Sequence, residues 1–274
     1  MSTLLFGQAF GHIPERWSAQ SLALSVVVHD HQRVNIAHTH ESAFVSLMLA
    51  GQYAETAGRK SFSYVPFTAV GHPSELEHHD AIGGPGVRLL FFEFRPELLN
   101  GVRVDPTALR SLRDLSGTRA AWELLSLYLD VAAGGEGLEF ESRAQQVIAD
   151  IVRVSDRTAS DLPSLNRATE YLHAHFRDHI AMKDVAAAAS LHPVYLGQMF
   201  RRHTGETIGS YVRRLRVRAA AECLTSTSKP LADVALDHGF CDQSHFHRVF
   251  RAWSGFTPAA FRANFRATAR AELK

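Results

Sequence analysis

The sequence predicts an α+β protein with an N-terminal β-barrel domain, a helical linker and an all-α C-terminal domain. Three observations support this prediction. β-type runs crowd the first hundred residues, apolar residues then recur at helical spacing, and positive charge accumulates toward the C-terminus. We expect the three segments to span residues 1–104, 105–160 and 161–274.

The barrel domain is predicted from four apolar runs of strand length, which are LALSVVVH, AFVSLMLAG, SFSYVPF and VRLLFFEF. Stretches that favour turns, such as AETAGRK and AIGGPG, lie beside them. Strands this close together along the chain are typical of a sandwich or a barrel.

The linker is predicted from a change to helical spacing between Asp105 and Ser155. Two apolar stripes show this spacing: Leu124, Leu127, Tyr128 and Val131, then Val147, Ile148, Ile151 and Val152. We expect a loop at AAGGEGLEF between them and an exposed hinge at SDRTASDLPS. The stripes either form a dimerisation element or pack on the barrel of the same chain.

Composition excludes several classes of protein. With 46% hydrophobic and 21% charged residues, the chain is neither disordered nor collagen-like nor a coiled coil. Its start lacks a signal-peptide pattern, and no apolar stretch approaches the roughly 20 residues of a membrane span. We therefore expect a cytoplasmic protein without membrane contact. The two cysteines, Cys223 and Cys241, are too few for a disulfide framework and are interpreted as packing residues.

Charge is distributed unevenly along the chain. From Pro163 onward, 16 Lys and Arg face 9 Asp and Glu, a net charge of +7, which leaves 13 against 19, or −6, before it. Such a basic domain indicates a polyanionic partner.

The C-terminal domain contains an internal repeat. FRRHTGET followed by Tyr211 matches FRAWSGFT followed by Phe261 at an offset of 50, whereas DVA from Asp184 matches DVA from Asp233 at an offset of 49. The turn inside the second copy is therefore one residue longer. Each copy reads as a helix, a tight turn and a second helix, which is the helix-turn-helix layout.

A family resemblance covers this repeat. The residues that carry it are DVAAAASLHPVYLGQMFRRHTGETIGSYVRRLRVRAAAECLTSTSKPLADVALDHGFCDQSHFHRVFRAWSGFTPAAFR. Their order resembles the AraC/XylS family of bacterial transcription regulators, with small departures at His192 and His245. The resemblance implies a DNA-binding activator or repressor whose N-terminal sensor domain commonly has the cupin fold.

Elimination predicts the residues that face DNA. Leu196, Met199 and Phe200 recur as Phe246, Val249 and Phe250, so both sets should lie in the core. The side chains left to face outward are Val194, Gly197, Gln198 and Arg201 in the first copy and Gln243, Ser244, His247, Arg248 and Arg251 in the second.

Chemistry then divides their roles. Gln198 can pair with adenine and Arg248 with guanine, while Val194 can meet a thymine methyl group. Arg201, Arg202 and Arg251 are candidates for phosphate contacts. The alternative is that these side chains only solvate a helix face.

A cluster of arginines follows the first copy: Arg213, Arg214, Arg216 and Arg218. At helical spacing they cannot all face DNA, so at least one should form an internal ion pair, for which Asp233 and Glu222 are candidate partners.

The N-terminal half contains a histidine pattern that resembles a cupin barrel. His38 and His40 share one strand face, and His78 can converge with them on a divalent metal. The glutamate that metal-binding cupins carry after the second histidine is missing, because Phe44 and Val45 occupy its place. The acidic residues beside His78, which are Glu75, Glu77 and Asp80, are expected in an exposed loop.

Three interpretations of this cluster stay open: histidines that line an effector pocket, a metal site that helps to hold the effector, and a catalytic metal centre. The preferred function is a regulator in which a small molecule in the barrel changes promoter occupancy or contact with RNA polymerase. The alternatives are a cupin metalloenzyme with an accessory DNA-binding domain and a constitutive regulator whose barrel only mediates dimerisation. No nucleophile set or phosphate-binding glycine loop is present, so we do not expect an enzyme.

Overall fold

The structure is a computed structural model that describes residues 2–99, 112–116, 118–134, 137–155, 163–204 and 206–271. Within these residues the chain forms two compact units, divided between Ser155 and Asp156. The predicted start of the linker at residues 105–111 and most of the predicted hinge, residues 156–162, lie outside the described residues.

The first unit contains the strands. In chain order they are β1 (Ser2–Leu4), β2 (His12–Ala19), β3 (Leu22–His29), β4 (Arg33–Val34), β5 (His38–His40), β6 (Ala43–Ala57), β7 (Lys60–Tyr64), β8 (Ala69–His72), β9 (His79–Phe94) and β10 (Arg113–Asp114).

The helices divide between the units. The first unit holds α1 (Arg119–Ala132) and α2 (Gly137–Ser155). The second holds α3 (Pro163–His175), α4 (Met182–Ala189), α5 (Pro193–Thr204), α6 (Ile208–Ser226), α7 (Leu231–Asp237), α8 (Gln243–Ser254) and α9 (Pro258–Ala271). In the described part of the chain, no helix has the length and apolar character that a membrane span requires.

The first unit is a curled antiparallel sheet with the strand order β10-β8-β6-β9-β3-β2, to which β4 and β7 add on β9 and β6. A separate two-stranded pair joins β1 and β5 in parallel. The mixed class predicted from the sequence is therefore confirmed, with a sheet in the first unit and helices in the second.

The sheet curls where a glycine of β6 lies against the backbone of a glycine in β9. Gly51 in β6 and Gly86 in β9 have φ angles of 99° and 110°, and a Cβ at Gly51 would collide with the Gly86 carbonyl group. Register shifts in β6 lie at the same place, between Met48 and Gln52. Bulges and left-handed glycines let a strand bend without ending. Consequently β9 continues through AIGGPG, where the sequence suggested a turn. The stretch AETAGRK does contain the expected turn, at Gly58 and Arg59 between β6 and β7.

Helix α1 packs on the sheet of its own chain. The Tyr128 hydroxyl accepts a hydrogen bond of 2.7 Å from Arg88 Nη2, and its ring contacts Trp17. The predicted stripe of Leu124, Leu127, Tyr128 and Val131 is fully buried. The loop predicted at AAGGEGLEF is shorter than expected, because α2 already begins at Gly137.

The second unit repeats one arrangement of two helices. The turn between α4 and α5 starts at Ser190, and the turn between α7 and α8 passes through Gly239. These two residues occupy matching positions of the repeat and both have left-handed backbone conformations, with φ angles of 56° and 77°. Leu191 N donates to Ala186 O, and in the same way Phe240 N donates to Ala235 O. The second turn is one residue longer, and Asp242, the residue before α8, caps that helix by accepting a hydrogen bond from His245 N. The buried face of both pairs is formed by the residues predicted for the core, except that Val249 is half-buried.

Candidate functional site

The first candidate surface is the outer side of α5. Leu196, Met199 and Phe200 are buried beneath it. The outward side chains are Val194, Gln198, Arg201 and Arg202, all exposed; we call them the α5 face. Gly197 is half-buried beside this face, with the end of Met182 close by.

The second candidate surface is the outer side of α8. Phe246 and Phe250 are fully buried and fix the helix against the core. The side chains on the opposite side are all exposed and form what we call the α8 face: Gln243, Ser244, His247, Arg248 and Arg251. The structure therefore places every predicted DNA-facing residue outward except Gly197.

Both faces carry positive charge that the protein itself does not neutralise. Within the described residues, Arg201, Arg202, Arg248 and Arg251 form no ion pair and no side-chain hydrogen bond. Arginine presents five donors in a planar fork that suits phosphate oxygens and the edge of guanine. These four guanidinium groups are thus available to an anionic ligand.

The arginines of α6 behave differently from one another. The expected internal ion pair exists, but it joins Arg214 to Glu206 at 3.0 Å rather than to Asp233 or Glu222. The same guanidinium lies 4.4 Å from the centroid of the Tyr211 ring. Arg213, by contrast, is exposed. Only part of this arginine cluster can therefore reach DNA.

Arg216 has a structural role that the sequence did not indicate. Its guanidinium donates to Phe176 O at 2.6 Å and Asp178 O at 2.8 Å, and also to Gly239 O at 2.6 Å. The first two carbonyls follow α3, and the third lies in the turn of the α7–α8 pair. One side chain thus ties the two halves of the second unit together. Since its partners are backbone groups, no residue type in the sequence marks them.

A separate cluster lies inside the first unit. His38, His40 and His78 are buried. One ring nitrogen from each of them lies within 4.8 Å of the other two. The backbones of His38 and His78 exchange two hydrogen bonds, of 2.9 and 3.0 Å. The structure therefore brings together the three histidines that the sequence singled out, two from β5 and one from just before β9.

Asp80 belongs to the same cluster, contrary to the expectation of an exposed loop. Glu75 and Glu77 are exposed, but Asp80 is only 6% exposed because it lies inside β9. Its carboxylate oxygens are 3.8 Å from the Nε2 atoms of His38 and His78. The signal in the sequence was the two-residue spacing of His78 and Asp80, since alternate residues of an extended chain share a face.

Neighbouring buried groups complete this interior. Tyr64 donates to Glu55 Oε2 at 2.9 Å, and the same oxygen is 2.9 Å from His72 Nε2. Burial would raise the pKa of Glu55, but His72, His78 and the hydrogen bond from Tyr64 together outweigh this effect and lower the pKa. Phe44, at the position of the missing glutamate, stacks on the His72 ring at 4.1 Å between centroids.

The electrostatics of His40 and His78 favour neutral rings. Burial, followed by the proximity of His78 and His38, lowers the pKa of His40 to about 2. Burial also lowers the pKa of His78, although Asp80 partly opposes this effect. Neutral imidazole is the form that coordinates metals or accepts hydrogen bonds from a ligand.

Comparisons with known proteins match the second unit. Residues 185–264 match the family described as "Helix-turn-helix domain". Over 93 residues the chain is 36% identical to regulatory protein SoxS of Salmonella typhimurium. The matched segment covers 34% of this chain and 87% of SoxS. Among solved structures, the C-terminal domain of AraT, a response regulator from Geobacillus stearothermophilus, is 29% identical, covering 37% of this chain and 85% of that chain with a TM-score of 0.36.

Other curated relatives are matched over a smaller share of their length. Regulatory protein PocR of Salmonella typhimurium is 33% identical over 98 residues, which is 36% of this chain and 32% of PocR. The chain thus spans about a third of the length of PocR.

Proposed function

Because the chain belongs to the AraC family of helix-turn-helix transcription regulators, we propose that it reads one DNA sequence through two helix-turn-helix motifs, controlled by a small-molecule effector. The motifs are the α4–α5 and α7–α8 pairs. A regulator of a bacterial chromosome works in the cytoplasm. Its partners are double-stranded DNA, the effector and, at a promoter, RNA polymerase.

The observation that carries this proposal is the pair of matching faces on α5 and α8. Each lies on the second helix of a helix pair, opposite a buried aromatic face. In a helix-turn-helix motif this is the helix that enters the major groove. Their four arginines without internal partners provide the charge that a polyanion needs.

The side chains on the faces divide into readers and anchors. Gln198 can form a bidentate pair with adenine, Arg248 with guanine, and Val194 can contact a thymine methyl group. Arg201, Arg202 and Arg251 bind phosphates, which sets affinity and orientation. The remaining members of the site are Gly197, Gln243, Ser244 and His247.

The connecting helix suits simultaneous binding of both motifs. Helix α6 has 19 residues and therefore spans about 28 Å at 1.5 Å per residue. Successive major-groove faces on one side of a duplex lie about 34 Å apart. The two motifs can then read two blocks separated by one helical turn.

Effector control is proposed for the first unit, as a cupin-like sensor spanning residues 1–104 with His38, His40 and His78 in its interior. Residues 105–160 would couple this sensor to the DNA-binding domain at 161–274, in a monomer or a homodimer. Because linkage is reciprocal, an effector that changes DNA affinity must itself be bound with changed affinity when DNA is present. Such a sensor needs only differential binding between two states, so no catalytic turnover is involved.

The test is selection of binding sites from random duplex DNA with the full-length protein at a stated salt concentration. We expect a motif of two blocks one helical turn apart. Gln198→Ala should relax one position of one block and Arg248→Ala one position of the other, each by about 1–3 kcal/mol of discrimination. Gln145→Ala and Arg59→Ala, which remove exposed groups of the same type from the first unit, are the matched controls and should leave the motif unchanged.

Two results would argue against the proposal. If no sequence is enriched and affinity follows only the salt concentration, the protein does not read sequence. If Gln198→Ala and Arg248→Ala relax the same block, the two helix pairs are not separate readers.

A further inference from the structure

Beyond DNA reading, we propose that His38, His40, His78 and Asp80 bind one divalent first-row transition-metal ion. Asp80 supplies the carboxylate ligand in place of the glutamate that is missing after His40. This site lies in the first unit and does not depend on the proposed function.

The three ring nitrogens are close enough to share one ion. They lie within 4.8 Å of one another in a cluster of rings that are 1–4% exposed. Around zinc, nitrogens at 2.0–2.1 Å from the ion are roughly 3.3 Å apart in a tetrahedron. Small side-chain rotations therefore suffice to close the site.

The hydrogen bonds of the rings direct lone pairs into the cluster. His38 Nδ1 lies 2.9 Å from Ile36 O, and His78 Nδ1 lies 3.0 Å from Leu76 O. A carbonyl can only accept, so Nδ1 carries the hydrogen, and a ring protonated at that atom alone has a free lone pair on Nε2. Histidine ligands typically donate their other ring N–H to a backbone carbonyl in this way.

The carboxylate faces those lone pairs. Asp80 Oδ2 is 3.8 Å from His38 Nε2, and Asp80 Oδ1 is 3.8 Å from His78 Nε2, which is too far for a hydrogen bond. Lone pairs and a carboxylate that converge in a buried space repel one another unless a cation lies between them. A metal ion bound to both removes this repulsion.

The carboxylate is also held in place from behind. Tyr53 donates to Asp80 Oδ1 at 2.7 Å and Asn35 Nδ2 donates to Oδ2 at 3.2 Å. Such hydrogen bonds to a metal-bound carboxylate orient it toward the ion. A further unsatisfied atom, His40 Nδ1, is buried with no hydrogen-bond partner among the described residues.

The ligand set selects the class of ion. Imidazole suits zinc, copper, iron and nickel, whereas calcium and magnesium prefer ligands that are all oxygen. Three histidines and one aspartate therefore favour a transition metal such as zinc over an alkaline-earth ion.

The experiment titrates untagged, metal-free full-length protein with Co²⁺, whose visible absorption reports its ligands, and then displaces it with Zn²⁺. We expect one Co²⁺ per chain with an absorption band. His78→Asn should lose the band, and Asp80→Asn should shift it and weaken binding by at least about tenfold. The matched controls are His79→Gln and Glu77→Gln, which are exposed neighbours and should behave as the unchanged protein.

Folding of each variant is checked by circular dichroism, and a misfolded Asp80→Asn is replaced by Asp80→Glu, for which we expect a shifted band. The proposal is overturned if the unchanged protein shows no stoichiometric band. It is equally overturned if a folded Asp80 variant binds Co²⁺ with the same affinity and spectrum, because the carboxylate would then not be a ligand.

Discussion

Replacing Arg216 by methionine should loosen the second unit while leaving its surface intact. The Arg216 guanidinium joins the turn after α3 to the turn between α7 and α8 by donating to Phe176 O, Asp178 O and Gly239 O. Methionine fills a similar volume beside α6 but has no donor. The substitution therefore removes three hydrogen bonds and adds no clash.

The expected loss of stability follows from those bonds. A hydrogen bond to a charged group contributes about 1.5–3 kcal/mol. The bond to Asp178 O is exposed, so water replaces it at small cost, whereas the carbonyls of Phe176 and Gly239 are bonded in partly buried positions. Burial also lowers the pKa of Arg216, which means that holding this charge already costs some free energy. We therefore expect a net destabilisation of about 3 kcal/mol.

The assay is urea unfolding of the full-length protein, with hydrogen exchange to assign the change to the second unit. Arg213→Met, an exposed substitution on the same helix, is the control and should change stability by less than about 0.5 kcal/mol. Arg216→Lys should fall between the two, because a lysine ammonium cannot span three carbonyls. If Arg216→Met unfolds at the same urea concentration as Arg213→Met, the proposed tie between the two halves is wrong.

Three further predictions concern other parts of the chain. Burial raises the pKa of Glu93 to about 7, so the folded state favours the protonated carboxyl group and stability is lost as the pH rises from about 4.5 through 7. Glu93→Gln should remove this loss and be up to about 3 kcal/mol more stable than the unchanged protein at pH 8. Urea unfolding at several pH values measures the difference, and a difference independent of pH would contradict the prediction. Gly86→Ala places a methyl group against the His29 carbonyl, whereas the methyl group of Gly58→Ala meets nothing within 4 Å. Gly86→Ala should therefore lower the free energy of unfolding by at least about 2 kcal/mol more than Gly58→Ala. Equal shifts of the thermal midpoint would refute the role of Gly86 in the curl. Arg202→Ala should weaken DNA binding equally for all sequences and lower the slope of log affinity against log salt by about 1, whereas an unchanged slope would show that Arg202 does not contact phosphate.

Local signals explain why the helices could be located from the sequence. Pro193, Asp242 and Gly255 act on the few residues around them: proline suits a first helical turn, aspartate caps an N-terminus, and glycine adopts the left-handed conformation after a helix end, with φ of 79° at Gly255. Because these signals act locally, the ends of α5 and α8 can be located from the residues beside them. The outward positions followed from the buried aromatic residues by helical geometry alone.

Long-range pairing explains what the sequence did not reveal. Glycine-rich stretches are typical of turns, but Gly51 of β6 pairs with Val87 and lies against the Gly86 carbonyl group of β9. Both strands bend there without ending. Asp80 is buried in β9, which continues past these glycines toward the N-terminus and begins at His79. The contacts of Arg216 are equally non-local, since three backbone carbonyls distant in sequence receive its donors.

The two copies of the repeat differ where α5 and α8 begin, and this difference predicts that the two helices would contact DNA in different ways. Helix α5 starts with Pro193, and Val194 N donates to His192 Nδ1 at 3.4 Å, so no carboxylate caps this end. Helix α8 is capped by the Asp242 carboxylate, which accepts from His245 N at 2.7 Å. A helix N-terminus attracts phosphate, but a carboxylate at the same end repels it. We therefore expect the first copy to approach the DNA backbone end-on through α5, and the second to read the groove with mid-helix side chains such as Arg248.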